Sequence, residues 1–92
     1  MRYEWDERKR KSNLRKHGLD FLDAAKVFEG PMFVRADTRE DYREERWTSI
    51  GILGFVTVLV AFTEPLPGVR RIVCFRKATL YEQKLLETAL ED

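Results

Sequence analysis

The side chains that could act on a substrate are mainly cations, together with one histidine and several aromatics. Arg76 and Lys77 stand side by side after a β-branched, aromatic stretch. They are followed by Thr79 and Glu82, which have the spacing of a helix capping box. The free N–H groups and dipole of a helix N-terminus attract anions, and two adjacent cations add to that attraction. The pattern predicts a place to hold a phosphate. The alternative is a solvated strand end paired with carboxylates.

This set of side chains suits cleavage of RNA without a metal ion. In that chemistry the 2′-hydroxyl of the RNA attacks, while the protein aligns it, transfers protons and stabilises charge on the phosphate. His17 is the candidate for proton transfer, because histidine changes charge near neutral pH. Arg46 and Arg76 are candidate phosphate clamps, because a guanidinium can donate two parallel hydrogen bonds to two oxygens of one phosphate. A structural histidine near a helix end is the alternative for His17.

The first helix has to position the histidine. Asp6 has the character of an N-cap, and Gly18 directly after His17 favours a left-handed C-cap. The helix between them is strongly basic and carries few apolar residues, chiefly Leu14. Four of its polar residues are spaced so that they share one face: Lys9, Asn13, Lys16 and His17. This face is either a binding surface or simply solvated.

The remaining elements predict an α+β fold. A short strand (residues 2–5) precedes the basic helix, and a second helix follows it with an apolar stripe between Phe21 and Phe28. Extended segments then occupy residues 32–36, 46–52, 55–63 and 69–75, and a closing helix occupies residues 80–90. Consecutive strands with short turns imply a small antiparallel sheet of about four to five strands. The two N-terminal helices and the C-terminal helix would pack on one face of it.

Length and composition set further limits. The 92 residues predict a single domain, and the net charge of +1 means that attraction to nucleic acid must come from a local patch. One histidine and one cysteine do not make a zinc site, and no glycine-rich phosphate loop is present, so we expect no metal and no cofactor. The longest apolar run, residues 50–62, is too short to span a bilayer. Together with the single cysteine, this predicts a soluble cytoplasmic protein with no membrane association.

Three blocks of sequence carry a family resemblance. Residues 5–18 fit the pattern W-D-x-x-K-x-x-x-N-x-x-K-H-G. Glu45-Arg46 with Ser49-Ile50-Gly51 forms a second block, and residues 71–78 match a block usually written R-I-I-S-A-R-K-A. The blocks span nearly the whole chain in the right order, and the sequence therefore resembles the BrnT family of toxins.

The resemblance implies a RelE-like ribonuclease fold and a toxin of a type II toxin–antitoxin system that cuts RNA and halts translation. It implies a BrnA-type antitoxin as partner, with operator DNA contacted only through the toxin–antitoxin complex. The catalytic candidates are then His17, Arg46 and Arg76. The RNA-binding candidates are Lys9, Asn13, Lys16 and Lys77.

Two other functions are compatible with the sequence. The chain could be a non-catalytic module that docks a protein partner, or a translation inhibitor that acts without cutting RNA. Their support is the near-neutral charge and a shortage of cations after Ala78. Where the family usually carries further arginines, this chain has Leu80, Tyr81 and Gln83.

Overall fold

Five strands and three α-helices follow one another in the computed structural model, which describes residues 1–91. In chain order they are β1 (Arg2–Glu4), α1 (Glu7–His17), a 3₁₀ turn (Phe21–Asp23), α2 (Ala24–Phe28), β2 (Phe33–Ala36), β3 (Arg46–Leu53), β4 (Val56–Leu66), β5 (Val69–Lys77) and α3 (Leu80–Leu90). The α+β class and the order of elements are as predicted. The second helix is shorter than predicted, since its first turn is 3₁₀. In this part of the chain no helix is long and apolar enough to cross a membrane.

The strands form one mixed sheet in the order β1-β5-β4-β3-β2. The pairs β2–β3, β3–β4 and β4–β5 are antiparallel, but β1 lies parallel to β5. The prediction of an antiparallel sheet was therefore wrong at one edge. Short turns make the four consecutive strands β2 to β5 antiparallel. Two helical segments separate β1 from β2, so turn length does not determine the direction of β1.

Helices cover both faces of the sheet, so the prediction that they share one face was also wrong. Along β4, Val58, Val60 and Phe62 belong to the core that contains Ala24 and Val27 of α2. Leu59 and Ala61 alternate with them and pack with Leu86 of α3 on the opposite face. The near-continuous apolar run of β4 reflects burial on both sides, because it is the central strand.

Helix ends follow the sequence closely. The Asp6 side chain accepts hydrogen bonds from the backbone N–H groups of Arg8 and Lys9, and Gly18 closes α1 with a φ of 72°. At the start of α3, Thr79 and Glu82 form the predicted capping box. The end of α1 and the start of α3 are therefore fixed, and these are the points beside which His17 and Arg76 lie.

Two irregularities in the β4–β5 ladder were not expected. Strand β4 continues to Leu66, through a segment predicted as a loop. Its ladder with β5 is irregular between Thr63 and Leu66, and Pro65, which has no N–H to donate, lies within that interval. In β5, Ile72 pairs with Phe62 and Cys74 pairs with Ala61, which leaves an extra residue between them as a bulge. The bulge lies beside α1.

Candidate functional site

His17 lines a cavity between α1 and β5. The cavity has a volume of about 270 Å³ and is called the histidine cavity here; its lining residues are Lys9, Ser12, Asn13, Lys16, His17, Val73 and Cys74. Lys9 and Lys16 are exposed to solvent, and His17 is half-buried. The face of α1 that was predicted from spacing therefore lies next to β5. It holds two cations and the only histidine of the chain.

Asn13 connects this helix face to the sheet. Its Nδ2 donates to the carbonyl oxygens of Phe75 at 2.7 Å and Leu19 at 3.1 Å. Its Oδ1 accepts from the backbone N–H of Phe75 at 3.1 Å. Strand β1 pairs only with residues 69–71, so the amide of Asn13 satisfies the backbone of β5 beyond the point where β1 ends. Asn13 is 8% exposed, and it positions α1 and His17 relative to β5.

Arg76 lies on the α3 face of the sheet, where its register partner is Leu59. Its guanidinium donates to both carboxylate oxygens of Glu82, at 2.8 and 2.9 Å. Glu82 is 7% exposed, and its carboxylate also accepts from the backbone N–H of Thr79 at 2.9 Å. Hydrogen bonds from Arg76 are the main cause that lowers the pKa of Glu82 from 4.5 to about 2. The candidate phosphate clamp is thus held by an internal carboxylate.

We expect Glu82→Gln to change how stability depends on pH. The folded-state pKa of Glu82 is depressed, so the ion pair stabilises the fold above pH 4.5 and its contribution is lost as the pH falls toward 2. At neutral pH the variant should have a lower free energy of unfolding by roughly 1–3 kcal/mol. As the pH falls below 4.5 the difference should shrink steadily, because the unfolded state of the unchanged protein takes up a proton at Glu82 that the folded state does not bind until the pH is about 2.

Urea unfolding between pH 7 and pH 2.5 measures this difference. Glutamine also serves in a capping box, so the start of α3 is retained in the variant. Asp37, whose pKa is lowered by hydrogen bonds from Arg39, titrates in both proteins and cancels in the comparison. A stability difference that stays constant over the whole range would contradict the assignment.

Arg46 lines a different cavity of about 430 Å³, formed with the loop between β2 and β3. Its guanidinium lies 3.9 Å from the centre of the Tyr42 ring. Its Nε is buried and has no hydrogen-bond partner in residues 1–91. Arg46 pairs with Thr63 and Arg76 with Leu59, so the two arginine Cα atoms are separated by roughly 16 Å across two strand spacings and four residues of β4. In this structure the two guanidinium groups line different cavities.

The predicted residues thus form separate groups. Lys9, Asn13, Lys16 and His17 come together, whereas Arg46 and Arg76 each line another cavity. Lys77 is exposed, and its register partner Val58 places it on the sheet face opposite Arg76. One residue links two of the groups. Cys74 lines the histidine cavity and lies two residues before Arg76 on the same strand face, roughly 7 Å away between Cα atoms.

Sequence reasoning missed the residues that surround Arg76. A cavity of about 190 Å³ is lined by Arg76 and Glu82 together with Arg35, Asp37, Thr38, Arg39 and Thr48. We call it the arginine cavity. In β2 Arg35 is two residues from Phe33, which packs against the core on the α3 side, and this spacing could have assigned Arg35 to the α3 face. The position of Glu82 within the capping box was recognised, but its pairing with Arg76 depends on the tertiary fold. Within residues 1–91, no three His, Cys, Asp or Glu side chains converge as metal ligands.

Comparisons with known proteins identify the family. A family model described as the ribonuclease toxin BrnT of a type II toxin–antitoxin system matches residues 5–82. Among solved structures, the ribonuclease toxin BrnT of Brucella abortus shares 32% sequence identity and a TM-score of 0.70, over 86% of this chain and 97% of that protein. No curated protein sequence matches the chain. Because the family model covers most of the sequence and the structural relative has nearly the same extent, this chain belongs to the BrnT family of ribonuclease toxins of type II toxin–antitoxin systems.

Proposed function

We propose that this toxin cuts RNA without a metal ion, at a site that runs along β5 from the histidine cavity to Arg76. The RNA 2′-hydroxyl attacks the adjacent phosphorus, and the bond to the 5′-oxygen of the next nucleotide breaks. His17 accepts the proton of the 2′-hydroxyl and gives a proton to the departing 5′-oxygen, while cations stabilise charge on the phosphate. The observation that carries the proposal is the position of Cys74, which borders the histidine cavity two residues from Arg76.

The cations have separate tasks in this proposal. Lys9 and Lys16 stand at the mouth of the histidine cavity and attract the RNA backbone. When RNA binds, Arg76 gives up one or both of its hydrogen bonds to Glu82 and donates to phosphate oxygens instead. Glu82 keeps its hydrogen bond from the backbone of Thr79, so it stays in place when Arg76 turns. Arg46 contacts the strand farther from the cleaved bond. Lys77, on the opposite sheet face, attracts the RNA through its charge alone. Asn13 supports the site by positioning α1.

The biological role follows from membership of the family. We propose that cleavage blocks translation in the cytoplasm and that a BrnA-type antitoxin neutralises the toxin. The exposed cations of α1 are the surface that such an antitoxin would cover, since an acidic or amphipathic segment complements them. Operator DNA would be contacted only through the toxin–antitoxin complex.

An RNA cleavage assay in EDTA tests the proposed reaction. We expect the purified protein to cut RNA in the presence of the chelator and to leave 2′,3′-cyclic or 3′-phosphate ends. The matched control is the same RNA with 2′-O-methyl groups, which should stay intact because its 2′-oxygen has no proton to lose. Cleavage that stops in EDTA and returns with Mg²⁺, while circular dichroism shows an unchanged fold, would contradict the metal-free mechanism.

One observation favours a second function, inhibition by binding without cleavage. Arg76 is already neutralised by Glu82, which leaves less positive charge to stabilise a transition state. On this account, expression of the toxin would stop growth while cellular transcripts stay intact. Mapping RNA ends in arrested cells distinguishes the two functions.

A further inference from the structure

The arginine cavity collects positive charge from three separate parts of the chain. Arg35 comes from β2, Arg39 from the loop that follows it, and Arg76 from β5. Its volume of about 190 Å³ is several times the roughly 30 Å³ that a water molecule occupies in the liquid. The cavity therefore has room for a phosphate group. It lies on the α3 face of the sheet, the face to which Cys74 also belongs.

Two carboxylates occupy two of these arginines. Asp37 is 8% exposed and accepts from Arg39 Nε and Nη2, both at 2.9 Å. Glu82 accepts from both terminal nitrogens of Arg76. Each carboxylate presents paired oxygens to a guanidinium, which is also how a phosphate binds arginine. The cavity therefore has the donors that an oxyanion needs, and the carboxylates of Asp37 and Glu82 already accept from two of its three arginines.

Arg35 is the cation without an internal partner. It makes no hydrogen bond and no salt bridge within residues 1–91, although its register partner Thr48 places it on the same face as Arg76. Three arginines against two carboxylates leave the cavity with one uncompensated positive charge. Thr48 is 6% exposed and lines the cavity, so its hydroxyl is a further hydrogen-bond donor near the same space.

We propose that the arginine cavity binds a phosphate group of the same RNA strand that reacts at His17, with Arg35 as its principal cation. Arg39 and Arg76 divide their bonds between the internal carboxylates and the phosphate. The proposal rests on the proposed function for the course of the strand, because Arg76 lies two residues along β5 from the edge of the histidine cavity. It adds Arg35 and Arg39 to the RNA-binding residues.

The test measures binding of 2′-O-methyl RNA to the full-length protein and to the variants Arg35→Gln, Arg39→Gln and Lys26→Gln. Each variant removes one positive charge, and Lys26 is an exposed control on α2, which packs on the other face of the sheet. We expect Arg35→Gln to weaken binding roughly tenfold or more, and Lys26→Gln by less than about twofold. Arg35→Gln should also reduce the slope of log K against log salt by about 0.7, whereas a purely structural role would not change it.

The source of the phosphate is tested with a second ligand. If the cavity takes a bridging phosphate of the chain, inorganic phosphate should compete only weakly with the RNA. Strong competition by inorganic phosphate would overturn assignment to the strand interior, since it would indicate a site for a free phosphate. Equal affinity of Arg35→Gln and Lys26→Gln for RNA, with both variants folded, would overturn the cavity as a binding site.

The experiments distinguish an error in the proposed phosphate site from an error in the proposed cleavage reaction. Loss of RNA affinity in Arg35→Gln supports the cavity even where the unchanged protein fails to cut RNA in EDTA. Cleavage in EDTA at the same kcat/KM in Arg35→Gln, Arg39→Gln and Lys26→Gln would overturn the cavity and leave the reaction at His17 intact. Arg35→Lys, which keeps the charge but not the paired donors, should recover part of the lost affinity.

Discussion

Replacement of His17 by alanine should lower the rate of RNA cleavage by roughly 10²–10⁴-fold, which is the usual contribution of a positioned acid or base. His17 is the only histidine in the chain and lines a cavity with two lysines. Histidine is the residue type that enzymes use most often for proton transfer, and the cavity contains one. The loss should appear in kcat more than in KM, because proton transfer acts in the transition state.

Single-turnover cleavage of a labelled RNA measures this effect. Arg15→Gln is the matched control, since Arg15 is an exposed residue of the same helical turn and does not line the cavity. We expect the control to retain cleavage within a few-fold. His17→Gln preserves polarity and should be as inactive as the alanine variant. Cleavage by a folded His17→Ala protein at nearly the original rate would remove His17 from the mechanism.

Replacement of Asn13 by alanine should produce the largest loss of stability among the site residues. The change removes three hydrogen bonds and leaves the backbone N–H and C=O of Phe75 without partners at a buried position. Buried groups left unsatisfied in this way cost roughly 2–4 kcal/mol of unfolding free energy in total. For a domain of this size that corresponds to a fall in Tm of roughly 10–25 °C.

Thermal unfolding of Asn13→Ala and Ser12→Ala provides the comparison. Ser12 is the preceding residue and is exposed, so its replacement should change stability by no more than about 0.5 kcal/mol. Hydrogen exchange at the Phe75 amide should accelerate selectively in Asn13→Ala, because that N–H loses its acceptor. If the two variants melt at the same temperature, the amide of Asn13 does not hold α1 against β5.

Local sequence signals predicted both ends of α1 and the start of α3, but not the arrangement of the sheet. The Asp6 cap, the left-handed Gly18 and the Thr79–Glu82 box each depend on residues within four positions of one another, and all are confirmed. The parallel pairing of β1 with β5 joins residues 67 positions apart. No local pattern encodes such a pairing, and the choice of sheet edge depends on how α1 packs.

The site shows the same division between local and tertiary information. Helical spacing correctly placed Lys9, Asn13, Lys16 and His17 around one cavity. Spacing gave no sign that the polar groups of Asn13 would bind the backbone of Phe75, because that contact spans 62 positions. The pairing of Arg76 with Glu82 and the distance to Arg46 likewise follow from strand register. The roles assigned to these residues and the RelE-like character of the fold stay predictions.

The most direct test of the central claim is an NMR titration of isotope-labelled protein with 2′-O-methyl RNA, read at the imidazole of His17 and the Nε–Hε group of Arg76. The single histidine gives an unambiguous signal. If one strand passes from the histidine cavity to Arg76, both signals should shift and saturate at the same RNA concentration and at one equivalent. A shift of Arg76 with no change at His17, or saturation at different concentrations, would contradict a continuous RNA site along β5.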